Sequence, residues 1–307
     1  MDIVYSDYYQ ANIGEHLFPT KKYRLTREVL MIKGEFGVEN FEDAPLATRE
    51  ELTRFHTPEY IEKLEKNSLS DEERDIMELP FNPEVYRWAV ASAGGTMLAA
   101  KFAQRDGVSC HLGGGFHHSY PDHGEGLCVI NDVGVAAQNL LAAGTVSRIL
   151  ILDLDLHQGN GTLAFFRNDP RVLCFSMHQA SVYPIPKEPG GVNIDLPDHI
   201  SDADYLDQLA AASYSIFDEF MPQIVFYVAG ADPYIGDQLG RLDLTIAGLR
   251  ARDERVFWDA VSRGIPIVSV AAGGYARRVE DLVTIHANTI RVAKDFADEI
   301  RRAQWKA

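Results

Sequence analysis

Only three of the 307 residues are cysteine, Cys110, Cys128 and Cys174, and no two of them stand in a CxxC spacing. That excludes a disulfide scaffold and a four-cysteine metal site, so reduced, buried thiols are expected, with Cys128 a small core residue rather than a redox switch. No apolar run approaches the roughly 20 residues that span a bilayer. The opening MDIVYSDYYQ also lacks the basic start and apolar core of a secretory signal. No membrane partner and a cytoplasmic location are the expectations. Positive charge is scarce as well: 29 Lys and Arg against 45 Asp and Glu give a formal charge of -16. Such a surface repels phosphates, which argues against a nucleic acid partner, and attracts cationic ligands or segments.

No repeat, low-complexity tract or Pro/Ser-rich linker divides the chain, so a single domain over residues 1–307 is expected. Short aliphatic runs alternate with helical patterns. The strands expected are DIVYS, VSCHL (108–112), RILILDLDL (148–156), VLCFSM (172–177), IVFYVAG (224–230) and PIVSVAAG (266–273). Helices are expected over 83–105, about 131–143, about 203–220, 245–263 and 277–303. Residues 65–82 read as an acidic surface excursion. This alternation predicts an α/β fold with an open, mostly parallel sheet flanked by helices.

In such sheets ligands bind beyond the carboxyl ends of the strands, and this sequence collects its unusual polar residues there. VSCHL leads to His117 and His118, IVFYVAGAD ends at Asp232, and IVSVAAGGY ends at Tyr275. In ILILDLDLHQGN, Asp153, Asp155 and His157 alternate with Leu152, Leu154 and Leu156, so the two sets are expected on opposite faces of one strand. Burying ionised carboxylates without partners costs several kcal/mol each, so a cation or a dense hydrogen-bond network must be present. Asp and His together suit a divalent metal, Zn²⁺ first. His111, inside a strand-like run, is expected to be a hydrogen-bonded core residue, and His178 receives no catalytic role.

Taken in order and spacing, EHLFPTKKYRL, FHTPEYIEKL, GGGFHH, GLCVINDVGVAA, LDLDLHQGNGT, FSMH, AGADPYIGDQLGRLDLT and AAGGYA resemble the zinc-dependent histone deacetylase family of the arginase/deacetylase superfamily. HQGNG and the compact length are most similar to its class IV and bacterial members. The resemblance implies the arginase/deacetylase fold and one catalytic Zn²⁺ held by Asp155, His157 and Asp232. It makes His118 the general base, His117 its electrostatic partner oriented by Asp153, and Tyr275 the donor to the oxyanion. It also implies a structural K⁺ bound by Asp153, Asp155, His157, Ser176 and Met177. The substrate would be an acyl-lysine protein or peptide, or an acylated cationic small molecule such as an acetylpolyamine. Gly126, Leu127, Tyr183, Gly273 and Gly274 would line the acyl-lysine tunnel.

Two positions depart from the commoner family pattern. Asn160 replaces an aspartate behind His118, which leaves that imidazole less able to hold a proton and so available as a base. Leu127 stands where an aromatic tunnel wall is usual, with Tyr183 as the opposite wall, and predicts a wider tunnel that accepts acyl chains longer than acetyl. A binuclear, arginase-like site is disfavoured because the second position after Asp232 is Tyr234 rather than an acid. A non-catalytic binding protein is disfavoured because no ligand, base or tyrosine is missing.

Overall fold

Apolar runs build the middle of one parallel sheet in the computed structural model, which describes residues 1–306. Its eight strands are β1 (Ile3–Tyr5), β2 (Phe41–Asp43), β3 (Val108–His111), β4 (Ile149–Asp153), β5 (Val172–Gln179), β6 (Val192–Leu196), β7 (Ile224–Val228) and β8 (Ile267–Val270). They lie in the order β2-β1-β3-β8-β7-β4-β5-β6, and every pairing is parallel. Every residue of β3, β4, β7 and β8 is buried, as strands covered on both faces must be. The helix Pro83–Asp106 packs against β3 and β8, and Asp132–Ala142 packs against that helix. The helices at Lys21–Ile32, Ile246–Val261 and Val279–Lys306 form a second group. Among the described residues no helix is long and apolar enough to cross a membrane.

Local sequence sets the helix ends. Asn82 accepts hydrogen bonds from the N–H groups of Glu84 and Val85 ahead of Pro83, and Gly107 closes the same helix at φ +87°. Asn131 and Thr245 cap the helices at Asp132 and Ile246 in the same way.

The strand order positions the site. β3 and β4 follow each other in sequence, yet β8 and β7 lie between them in the sheet. The chain runs outward through β4, β5 and β6 and then turns back to insert β7 and β8, so the connections leaving the neighbours β4 and β7 head in opposite directions and open a crevice at the strands' carboxyl ends.

Two sequence expectations are corrected, on the strand over 148–156 and the helix over 203–220, and further elements are added. The strand expected over 148–156 stops at Asp153, because beyond it the N–H groups of Asp155 and His157 are satisfied locally, while Leu154 N–H still reaches Val228 O at 3.1 Å. Asp153 Oδ1 accepts from the N–H of Asp155 at 3.1 Å, and Asp155 Oδ1 from that of His157 at 3.0 Å. These successive Asx turns replace ladder bonds. Asp155 and His157 are therefore turn residues, not strand residues. Edge strands β2 and β6 were not anticipated; β2 is three residues with no apolar alternation, and β6 is half-exposed. The helix expected over 203–220 keeps α geometry only over Asp202–Ser213, then widens into a π turn over Tyr214–Glu219. Within the acidic excursion, a Ser70–Glu73 capping box starts a helix over Asp71–Met77. Its last carbonyls, from Ile76 and Met77, accept the N–H groups of Gly126 and Leu127 at 3.3 and 2.9 Å.

Candidate active site

Beyond β4 and β7 the side chains of Asp155, His157 and Asp232 converge, each buried, with one ligand atom apiece lying within 4.8 Å of the others. His157 Nδ1 stands 3.3 Å from Asp155 Oδ1 and 3.4 Å from Asp232 Oδ2. The remaining carboxylate oxygens are held by the backbone: Asp155 Oδ2 accepts from Gly273 N–H and Asp232 Oδ1 from Leu156 N–H, both at 3.0 Å. Asp232 Oδ2 is buried with no hydrogen bond. An orphaned carboxylate oxygen beside a second carboxylate and an imidazole is the donor set a small divalent cation needs. The room for it depends on Gly273, where a Cβ would lie 2.2 Å from Asp232 Oδ2 and 2.6 Å from Asp155 Oδ2.

Electrostatics agree. Burial works against protonation of His157, but the Asp155 and Asp232 carboxylates outweigh it and push the imidazole up to about 10. Burial also works against ionisation of Asp155, yet the His117 and His157 imidazoles hold its carboxyl well below the usual range. Burial, reinforced by the Asp155 charge, raises Asp232. Without an ion the cluster thus recruits a proton as its counter-charge.

The loop after β3 supplies two imidazoles. His117 Nδ1 lies 2.6 Å from Asp153 Oδ2, His118 Nδ1 lies 2.6 Å from Asn160 Oδ1, and the two Nε2 atoms are 3.1 Å apart. Burial disfavours a charge on either ring. For His117 the Asp153 and Asp155 carboxylates outweigh it and push the group up to about 9. For His118 the neighbouring His117 and His157 reinforce burial and hold it well below its ordinary value. One imidazole is therefore charged and the other neutral. Since Asn160 Oδ1 can only accept, His118 carries its proton on Nδ1 and leaves Nε2 unprotonated, beside the Nε2–H of the charged His117.

Tyr275 follows β8. Its backbone is gripped on both sides, with N–H to Asp237 Oδ2 and C=O from Gln238 Nε2, each at 2.6 Å. Burial, then the charges of Asp232 and Asp155, raise the phenol well above 10, so it remains a hydrogen-bond donor. Burial and the Asp232 carboxylate likewise push Asp237 up to about 7.

Asp155, His157, His117, His118 and Tyr275 line one pocket together with Phe18, Phe116, Gly126, Leu127 and Gly273, with Asp232 behind it against Asp155 and His157. Leu127 has φ +68° and Gly126 φ +51°, in a tight turn closed by paired hydrogen bonds between Glu125 and Cys128. Tyr183 packs edge-on against His118 at 4.9 Å, with its hydroxyl turned to Glu125 and Asn160. Gly274 lies one residue off the wall, facing Ala231 and Leu282. Ser176 lies opposite Asp153 in register, and its hydroxyl contacts His178 Nδ1 at 2.9 Å; the adjoining Met177 is buried. His111 is a buried core residue between Tyr9 and Thr96, and all three cysteines are buried and free.

Three residues near the site carried no usable sequence signal. Lys22 is fully buried, donates to Ala272 O at 2.7 Å and lies 5.9 Å from the Tyr275 ring centre, while the adjacent Lys21 is exposed. Burial pushes its ammonium down to about 8 against the pull of Asp232 and Asp155. Asp237 and Glu125 sit in loops whose neighbours carried the motif.

A buried Asp–His–Asp group that could hold a metal ion, beside paired histidines at the strand ends of a parallel sheet, makes this crevice a candidate metal-dependent site. The histone deacetylase domain family matches residues 16–290, and the chain belongs to that family. An uncharacterised protein of Picosynechococcus sp. is 35% identical over 293 residues, 95% of this chain and 98% of that one. Histone deacetylase 2 of Arabidopsis thaliana is 28% identical over 90% of this chain and 75% of its own length. The acetoin utilization protein AcuC of Staphylococcus aureus is also 28% identical, over 85% and 73%. The crystal structure of the HDA15 HD domain superposes with a TM-score of 0.80 at 23% identity, covering 100% of this chain and 96% of that one, and so shares its fold.

Proposed function

We propose that this hydrolase removes acetyl or longer acyl groups from lysine side chains with the help of one divalent metal ion. The observation that carries the reading is the Asp155, His157 and Asp232 group with its unpaired Asp232 Oδ2, of which Asp155 and His157 line one pocket with a neutral His118 and a protonated Tyr275. Those three residues would hold the ion, Zn²⁺ by family resemblance. When bound, it supplies positive charge that polarises an acyl carbonyl and makes water acidic enough to deprotonate near neutral pH.

The chain's own groups do the rest. His118 Nε2 accepts the proton of the attacking water and returns it to the departing lysine amine. His117, kept charged by Asp153, stands 3.1 Å away and makes that return easier. Tyr275 donates a hydrogen bond to the oxyanion of the tetrahedral adduct, a contact worth about 3 kcal/mol by comparison with other oxyanion donors. Gly126, Leu127, Tyr183, Gly273 and Gly274 belong to the acyl-lysine channel in this reading. A K⁺ ion at Asp153, Asp155, His157, Ser176 and Met177 rests on the resemblance alone, since no side-chain oxygen of Asp153 or Ser176 is left unpaired.

The test is turnover of lysine peptides bearing acetyl through myristoyl groups, and of acetylated polyamines, by zinc-loaded protein with Tyr275→Phe as control. Tyr275-dependent peptide cleavage supports the reading. Cleavage of polyamines alone would move the assignment to small-molecule deacetylation, and silence across the panel would overturn it.

A further inference from the structure

Asn160 orients His118 only if its amide faces the right way, and nothing in an amide by itself fixes that. Its two ends are nearly the same size, but one accepts and the other donates. With Oδ1 toward His118, the imidazole keeps its proton on Nδ1 and a bare Nε2 faces the pocket. Flipped by 180°, the amide would present Nδ2 to His118 Nδ1 and favour the proton on Nε2, against the His117 Nε2–H 3.1 Å away, and the base would be weakened.

The neighbours of the amide's other end are unequal in the two states. Asn160 Nδ2 donates to Glu125 Oε1 at 2.9 Å and to Tyr183 Oη at 3.2 Å, and the Tyr183 hydroxyl itself donates to Glu125 Oε1. His123 Nε2 approaches the second oxygen, Oε2, at 3.2 Å. Every group around this carboxylate is a donor. A flipped Asn160 would set its carbonyl oxygen against an anion, inside a site where Asn160 is 2% exposed. Burial works against ionisation of Glu125, yet the His123, Tyr183 and Asn160 donors outweigh it and hold the carboxyl below its ordinary value.

We propose that Glu125 is a positioning residue for the deacylation reaction: it locks the Asn160 amide and thereby fixes the His118 tautomer that serves as base. The assignment rests on the function proposed above, but its mechanism lies in the chain's own hydrogen bonds. It also joins the tunnel to the base. Glu125 opens the same tight turn that carries Gly126 and Leu127, so the wall that contacts the acyl chain and the group that sets the base move as one piece.

The test combines ¹⁵N-histidine NMR on zinc-loaded protein with kinetics on an acyl-lysine peptide. Wild type should show His118 as the Nδ1–H tautomer. Glu125→Ala should show a mixture, with kcat lowered about 10- to 100-fold and KM within about threefold. Glu125→Gln, which keeps an acceptor but not the charge, should fall between. A carboxylate has no donor end to misplace, so Asn160→Asp should raise kcat in the Glu125→Ala background and lower it beside an intact Glu125. That reversal of sign is not expected from a merely structural role. An unchanged His118 tautomer in Glu125→Ala, or no recovery in the double variant, overturns the proposal. The NMR result stands even if wild type cleaves no acyl-lysine, an outcome that would instead remove the proposed function.

Discussion

His117 Nδ1 and Asp153 Oδ2 lie 2.6 Å apart, both buried, and the other oxygen of the same carboxylate ends β4 by accepting the Asp155 N–H. One side chain therefore holds a histidine charged and starts the turn that carries two metal-ligand candidates.

Asp153→Asn separates these duties, because the amide oxygen can still accept from Asp155 N–H while the charge is gone. Burial then meets only the Asp155 carboxylate, 3.7 Å from His117 Nε2, and His117 should fall from about 9. A group raised in the folded state stabilises the fold fully below pH 6.5 and loses that contribution as pH rises through about 9. The variant should lose part of this stabilisation. We expect a smaller protonated fraction of His117 at pH 7.5 by ¹⁵N NMR and kcat reduced about 10- to 100-fold. An unshifted His117 titration would refute the account.

Metal binding should expel a proton. In the ion-free pocket Asp155 and Asp232 overcome burial and hold a proton on His157 up to about 10, whereas a metal ligand must be a neutral imidazole. Near pH 7 about one proton should leave per zinc bound, and apparent affinity should rise about tenfold per pH unit. The ion-free fold should itself lose stability as pH climbs through about 10, because the raised His157 contributes fully only below its ordinary 6.5. Calorimetric titrations in buffers of different ionisation enthalpy measure the proton count. Heats that do not vary with buffer would contradict it.

Gly273→Ala should damage the ion site more than the fold. The new Cβ would meet Asp232 Oδ2 and Asp155 Oδ2 at 2.2 and 2.6 Å, so both carboxylates must move. Competition against a zinc chelator should show at least about tenfold weaker binding, a loss of about 1.4 kcal/mol or more. The melting temperature of the metal-free protein should shift by only a few degrees. Unaltered zinc affinity would mean that the pocket relaxes around the methyl group.

How much of this was legible depended on the kind of signal. β4, β7 and β8 announce themselves as aliphatic runs, and Asp232 and Tyr275 lie where those runs give out. The end of β4 was misread because alternation continues through Leu156, while the hydrogen bonds that stop the strand come from Asp153 and Asp155 side chains. Periodicity does not report an Asx turn. Lys22 was invisible because nothing local distinguishes it from Lys21; only the packing of its helix buries one and exposes the other. Glu125 was passed over for a similar reason: its partners Asn160 and Tyr183 lie 35 and 58 residues away in sequence.

Leu127 should set acyl-chain length. It lines the pocket on a turn with φ +68°, packed near Gly126, where a Cβ would touch His118 Cδ2 and Tyr183 Cε1 at 3.0 Å. The backbone there is fixed by the Ile76 and Met77 carbonyls, so a larger side chain at 127 must take its space from the channel. Leu127→Phe should spare acetyl-lysine and lower kcat/KM for octanoyl- and myristoyl-lysine at least about tenfold relative to it, the discrimination that one or two methylenes of pocket shape provide. Because both residues bear the same positive-φ strain, the melting temperature should change little. The measurement is the ratio of kcat/KM for long and short acyl peptides in the two proteins. A ratio that does not move would place the length-determining wall elsewhere.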